Sequence, residues 1–567
     1  MNLFRQGRLR GGANILFAPG FKESIEHFGS DAEFYQISDD YGIVFFNINS
    51  TDIIKEILSN PLAIRVEPLT RIALLGNITQ GTTNGVNANE EIGVNFFKNN
   101  PNLPLSGSGI VISIVSSGID YLHPDFINND NTTKIVSIWD QGSDKKNSPQ
   151  GTIFGSEFTR EDINKAIKDN DSTLTTDEIG TGTIAAGICA GRGKLNSEYL
   201  GVAVDSELVV VKLRQYEGKF KKGVIHYINT DFLAAIKYVL DISKREQKYT
   251  IINLTVGGRS SSALIATYLD TFTYLSSSGI VLVSGAGNEG NTDIHYQGFF
   301  NDHNSQDVKI QVGEQNYLRI CVSSVGPDKI GGLIISPSGE LSFRVDYSPD
   351  NYIYYGKFNL ENTTYEMNLI YPWILSGNQE LIINLDNIKP GIWTVRLYPE
   401  FIINGEYDIY LPNKNLMSKD TRFIDPNSFS TITMYGSGEN VITVGTYDNK
   451  TNSIWVGSSK GPMKGIGIKP DIVAPGVDII SAFINKSYTT STGTGVSSSI
   501  VSGVLAVIME YIGSQGSYPG KTLYTQLLKT YLMMGADKKA IYTYPNESGG
   551  YGDLNLENTI KAIANNL

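Results

Sequence analysis

Three consecutive serines, Ser497, Ser498 and Ser499, close the small-residue run Thr492-Gly493-Thr494-Gly495-Val496 and lead into an apolar segment. A serine oxygen becomes a nucleophile only when a base takes its proton and a third group orients that base. Histidine is the usual base, and this chain has only His27, His123, His226, His295 and His303. On a helix each residue turns roughly 100° from the one before, so the three serines point away from the direction of Gly495. They read better as small residues for close packing of a buried helix. The two cysteines, Cys189 and Cys321, lie in apolar contexts and read as buried free thiols, not as a disulfide or a metal pair. No Asp-x-Asp loop and no Cys/His cluster argues for a metal, and no cofactor is expected.

Other motifs must position whatever chemistry exists. Val111-Ile-Ser-Ile-Val-Ser116 is an apolar strand-like run that ends in the turn Ser117-Gly118-Ile119-Asp120, with His123-Pro124-Asp125 just beyond. Gly180-Thr181-Gly182-Thr183-Ile184-Ala185-Ala186-Gly187 reads as the start of a small-residue helix. Ile252-Asn253-Leu254-Thr255-Val256-Gly257-Gly258 and Val281-Leu-Val-Ser-Gly285-Ala286-Gly287-Asn288-Glu289-Gly290 are strands running into glycine turns, and Lys469-Pro470-Asp471 precedes the serine-rich block. In this order the blocks resemble the subtilases, whose sequence motifs carry Asp, His and Ser in that chain order. The resemblance implies an α/β subtilisin-like core with a parallel sheet. It also implies a substrate cleft lined by Asn253, Gly257 and Gly258, with Asn288 as the oxyanion-type donor.

The same resemblance exposes three replacements. Where the family has its orienting aspartate this chain has Ser116, at the histidine it has Thr181, and at the serine Gly495. His123 belongs to a stretch that active relatives also carry, and reads as structural. The mechanism needs each lost group for a separate reason, as nucleophile, proton shuttle and tautomer lock. In subtilisin, losing serine or histidine alone costs about 2 × 10⁶ in kcat, and a residue of about 10³ to 10⁴ over water remains from the oxyanion hole and binding. The expectation is a degenerate triad with no catalytic residue and no protease activity.

The chain has 567 residues, room for two or three domains, and a formal charge of -12. That charge argues against nucleic acid or an anionic membrane as main partner. No uninterrupted apolar run of about twenty residues is present, so no transmembrane segment is expected, and the basic N-terminus lacks the apolar core of a signal peptide. Residues 1–85 read as a strand-helix-strand-strand-helix-strand unit, which resembles a ferredoxin-like α+β subtilase prodomain that stays uncleaved. Its tail, Leu75 to Thr83, is expected in or near the cleft. Residues 86–294 and 431–567 read as the subtilase-like domain. Between them, 295–430 carries short alternating runs such as Gly391-Ile-Trp-Thr-Val-Arg-Leu-Tyr, the pattern of an all-β jelly-roll sandwich.

Prodomain, core and inserted sandwich together resemble the Csp subtilases of clostridial spores, and the replaced triad is similar to the pseudoprotease members CspC and CspA. The resemblance implies a regulator of spore germination, located in the spore. It implies an active Csp-type protease and other germination proteins as partners, and a bile-salt or amino-acid germinant as ligand. The pocket for such a ligand is not identified by any residue pattern. Two other readings stay open: a subtilase-fold hydrolase with a relocated site, and an inhibitor or scaffold of another protease. A structural calcium, as subtilases bind, also stays open.

Overall fold

The computed structural model describes residues 11–46, 51–79, 85–216, 224–260, 269, 279–349, 353–373, 377–465, 467–515 and 523–565. At its centre is a nine-stranded, mostly parallel sheet. The strand Ile110–Ser116 pairs in parallel with Glu207–Lys212 on one side and Tyr249–Leu254 on the other. Beyond these the sheet extends through Ile280–Gly285 and Val441–Asp448, and only the short edge strands Ser156–Thr159 and Ser453–Ile454 run antiparallel. All seven residues of Ile110–Ser116 are buried, as expected for a central strand covered on both faces.

Strand periodicity divides the core. Ile112 and Ile114 join one apolar cluster, with the helices Thr181–Ala190 and Thr494–Ser514. Val111 and Val115 point the other way, into a second cluster with the helix Asn229–Glu246. The helix Thr494–Ser514 is long and apolar enough to cross a membrane, which the sequence expectation overlooked because serines and glycines interrupt its apolar run. It is 94% buried within the protein, as a core helix that is apolar on all sides must be.

The N-terminal unit is a four-stranded antiparallel sheet in the order Ala32–Gln36, Tyr41–Phe46, Gly11–Phe17, Ala63–Pro68. Its two faces have different partners. Ala13, Ile15, Val44 and Phe46 pack with Phe21, Ile53 and Ile57 from the unit's own helices. Ile43 and Phe45 face the other way and join the cluster that contains Phe232 and Leu233 of the helix Asn229–Glu246. The unit is therefore bound to the central domain by a shared apolar core.

Between His295 and Phe423 the chain forms two further antiparallel sheets, one of six strands and one of four. They share a single core. Ile310, Trp393 and Val395 contribute from the smaller sheet, and Ile320, Ile383 and Ile409 from the larger. The alternating burial of Gly391–Phe401 is that of a strand with one face inward.

Candidate functional site

The segment after the N-terminal sheet runs into the central domain. Arg71–Leu74 forms the middle strand of a three-stranded sheet, between Tyr227–Ile228 and Val256–Gly257, and both pairings are antiparallel. The Leu75 N–H donates to the Thr255 carbonyl at 2.8 Å. Past Gly76, Asn77–Thr79 pairs antiparallel with Ser487–Thr492. The sequence reading placed the tail here but missed the strand Arg71–Leu74, because four residues carry too little periodicity to register. Residues 80–84, the rest of the expected tail, lie outside the described residues.

Leu75 is fully buried, and its carbonyl oxygen accepts two hydrogen bonds: from Asn288 Nδ2 at 2.9 Å and from the Gly495 N–H at 3.1 Å. Asn288 is itself held by its other end, where Oδ1 accepts from the Thr494 N–H at 2.9 Å and from Thr494 Oγ1 at 3.0 Å. The geometry explains two glycines. Gly493 has φ +148°, and a Cβ there would lie 2.3 Å from the Leu75 carbonyl oxygen. A Cβ on Gly257 would lie 2.8 Å from Leu75 Cδ2, so the leucine side chain needs that glycine. A Cβ on Gly258 would instead meet Met434 Sδ at 2.4 Å, which makes it part of the wall behind the strand.

Asn253 does not line this cleft, contrary to the sequence expectation. It sits in the central strand Tyr249–Leu254 and is fully buried. Its Nδ2 donates to Ser499 Oγ at 2.9 Å and its Oδ1 accepts from Ser498 Oγ at 3.0 Å. It ties the sheet to the helix beneath the cleft, since a polar side chain inside a central sheet must find partners in the adjoining layer.

Two of the three replaced positions, Thr181 and Gly495, come together beside Gly76. They line one small cavity of about 10 Å³ with it, on the margin of what one water requires. Ser116 ends its strand next to Ser117, whose Oγ accepts from the Gly182 N–H at 3.0 Å and so joins strand end to helix start. The Ser116 and Thr181 hydroxyls are both buried and neither has a hydrogen-bond partner, so they do not satisfy one another. Gly495 ends at its Cα, and a Cβ there would lie 3.2 Å from the Leu75 carbonyl carbon. The arrangement can hold and polarise a peptide carbonyl, but Gly495 carries no side chain and none of the three positions carries an imidazole.

The serines after Gly495 are committed elsewhere. Ser497 Oγ bonds the carbonyls of Ala474 and Pro475, Ser499 donates to the Gly495 carbonyl, and the Ser498 O–H is shared between that carbonyl and Asn253 Oδ1. His123 is buried, accepting from the Asp125 N–H at 3.2 Å and placing Nε2 3.0 Å from the Ser487 carbonyl, a structural role. Sequence reasoning missed Asp177, which accepts from the N–H groups of Gly180 and Thr183 and fixes the helix start. An acid just ahead of a glycine-initiated helix was the available signal. It also missed the buried pair of His295 Nε2 and Asp408 Oδ1, 2.8 Å apart, because its members are distant in sequence. Beside the oxyanion donor, burial pushes the Glu289 carboxyl up to about 7, although it accepts from Thr292 Oγ1 and the Lys414 N–H. Both cysteines are buried and free. Among the described residues no three His, Cys, Asp or Glu side chains cluster as a metal site.

Known proteins share this architecture. The family described as the subtilase family matches residues 107–350 and 405–552. The solved structure of the Clostridium perfringens CspB protease is 25% identical, with a TM-score of 0.73, covering 84% of this chain and 98% of that one. Among curated proteins, C5a peptidase of Streptococcus pyogenes is 22% identical over 484 residues, 79% of this chain and 39% of its own. A subtilisin of a Bacillus species is 25% identical over 233 residues, 40% of this chain and 46% of its own. The chain thus spans about two fifths of the C5a peptidase length.

Proposed function

This chain belongs to the subtilase family, and from that premise we propose that it is a pseudoprotease of the Csp type, acting by binding and not by cleavage. In this reading the N-terminal unit is a prodomain that stays covalently attached and the two-sheet insert is a jelly roll. The protein regulates germination signalling in the spore by controlling an active Csp-type protease that processes a cortex-hydrolase zymogen. Its role is that of CspC or CspA, and a bile-salt or amino-acid germinant is the small-molecule input. The single observation that carries the reading is Gly495 beneath the Leu75 carbonyl. The oxyanion donors hold a peptide as they would in a protease, while the position of the nucleophile has no side chain. Likeness to the CspB protease over most of both chains supports the Csp assignment.

The test has two parts. Purified protein treated with a fluorophosphonate probe and a peptide library should show no labelling and no hydrolysis, and its intact mass should stay at 62.1 kDa. Labelling at any serine would favour a relocated site instead. In the native organism, deletion should alter germination in response to bile salt and amino acids. Unchanged germination would reject the signalling role.

A further inference from the structure

An open-mouthed cavity of about 60 Å³ lies where the cleft segment, the central domain and the inserted sheets meet. Three arginines line it, one from each part: Arg71, Arg259 and Arg319. Arg259 pairs with the Glu380 carboxylate, and even so its Nη1 is buried without an acceptor. Arg319 is half-buried, and its one hydrogen bond runs from Nη1 to Thr70 Oγ1 at 3.4 Å. Its Nε is buried and has no acceptor, and among the described residues no carboxylate lies within ion-pair distance of it. Arg71 donates to the Leu416 carbonyl at 3.3 Å and lies 5.1 Å from the Tyr317 ring. Burial lowers Arg71 to about 10, and repulsion from Arg319 adds to the effect.

Buried charges in proteins are ordinarily paired, because leaving one unpaired costs far more than the pairing itself. Here Arg319 has no carboxylate among the described residues, and Arg259 keeps a buried donor to spare. The remaining walls include the rings of Tyr317 and Tyr410 and the side chain of Leu416. An inorganic anion would use the charge and leave those apolar walls against water. The cavity's volume of about 60 Å³ has room for a few waters, enough for a carboxylate head with the apolar part reaching into the open mouth. We propose that this cavity binds a small organic carboxylate, with its head on Arg319 and Arg259 and its apolar part against Tyr317, Tyr410 and Leu416. Because the wall includes Arg71 of the cleft strand, the bound acid would also hold that strand to the inserted sheets. The proposal does not depend on whether the chain is a pseudoprotease.

Benzoate and octanoate, titrated into the full chain by calorimetry, test it against benzamide and inorganic phosphate. The expected result is saturable binding of a carboxylate, at least about tenfold weaker binding of benzamide and phosphate, and a rise in melting temperature with the carboxylate alone. Arg319→Gln should weaken binding about tenfold or more, and Arg319→Lys should restore part of it. The lysine variant also shows that the site folds. No saturable binding of either acid up to about 10 mM, or equal binding by Arg319→Gln, would overturn the proposal. Phosphate binding as tightly as benzoate would also overturn it, by showing a bare anion site.

Discussion

The two sides of the Leu75–Gly76 peptide are built to different standards. On the oxyanion side, Asn288 uses both ends of its carboxamide, the Gly495 N–H has its acceptor, and Gly493 adopts a backbone that only glycine accepts readily. On the other side, Ser116 and Thr181 bury hydroxyls with no partner, and Thr181 borders a small space. The first side holds a peptide carbonyl with every donor engaged, whereas the second carries small residues and no imidazole. The difference teaches that this fold can seat a peptide carbonyl whatever stands on the opposite side.

The strongest test of that contrast is Gly493→Ala. Its Cβ would fall 2.3 Å from the Leu75 carbonyl oxygen at φ +148°, so either the strand leaves or the loop distorts. A loss of about 3–5 kcal/mol is expected, visible as a lowered urea midpoint. A loss below about 1 kcal/mol would mean that the tail is not seated as described. Next comes Asn288→Ala, which removes the bond to Leu75 and leaves the Thr494 N–H unpaired. About 2–4 kcal/mol should be lost, with faster hydrogen exchange at the Gly495 amide. Unchanged exchange there would break the assignment of Asn288 as the holder of the strand.

How much of this was legible in the sequence follows the same division. Motifs that build strands and turns, such as Val111–Ser116 and Val281–Gly290, announce themselves through continuous apolar runs and glycines. Ser116, Thr181 and Gly495 each stand inside such a motif, which is why the expectation of a replaced triad rests on them. What the sequence could not show was pairing at a distance. Asn253 looked like cleft lining because its motif ends at the cleft, yet a strand alternates its faces and Asn253 turns into the core. Arg71, Arg259 and Arg319 share a cavity only because segments distant in sequence meet there.

Glu289, directly after Asn288, gives a smaller and pH-dependent test of the oxyanion side. Its carboxyl titrates at about 7 in the folded chain against an ordinary value of 4.5, because burial disfavours the charge. Below 4.5 the group is protonated in both states and carries no penalty. As pH rises from 4.5 toward 7 the unfolded chain releases this proton and the folded chain keeps it, so stability falls across that window and levels off above it. The fall should be of order 1–3 kcal/mol, read from urea midpoints at acid and neutral pH. Glu289→Gln, which stays neutral, should remove that part of the slope. A variant with the wild-type slope would show that the oxyanion loop carries no buried acid.

The smallest effect is expected on the opposite side, and its sign decides how that side should be understood. A buried hydroxyl without a partner contributes desolvation cost and no bond, so deleting it should cost little or even stabilise. Ser116→Ala and Thr181→Val should each change stability by no more than about 0.5 kcal/mol. Thr183 is the internal control, two residues along the same helix. Its hydroxyl donates to Asp177 at 2.7 Å and accepts from the Asp120 N–H at 2.9 Å, so Thr183→Val should cost about 1–3 kcal/mol. The comparison holds helix position and chemical change nearly constant and varies only the partner. Equal losses at Thr181 and Thr183 would mean that the Thr181 hydroxyl is engaged, and that the triad side is a built site and not a relaxed one. A neutral Thr181→Val beside a costly Thr183→Val would show that the helix start is held by Thr183 and Asp177, with no contribution from the Thr181 hydroxyl.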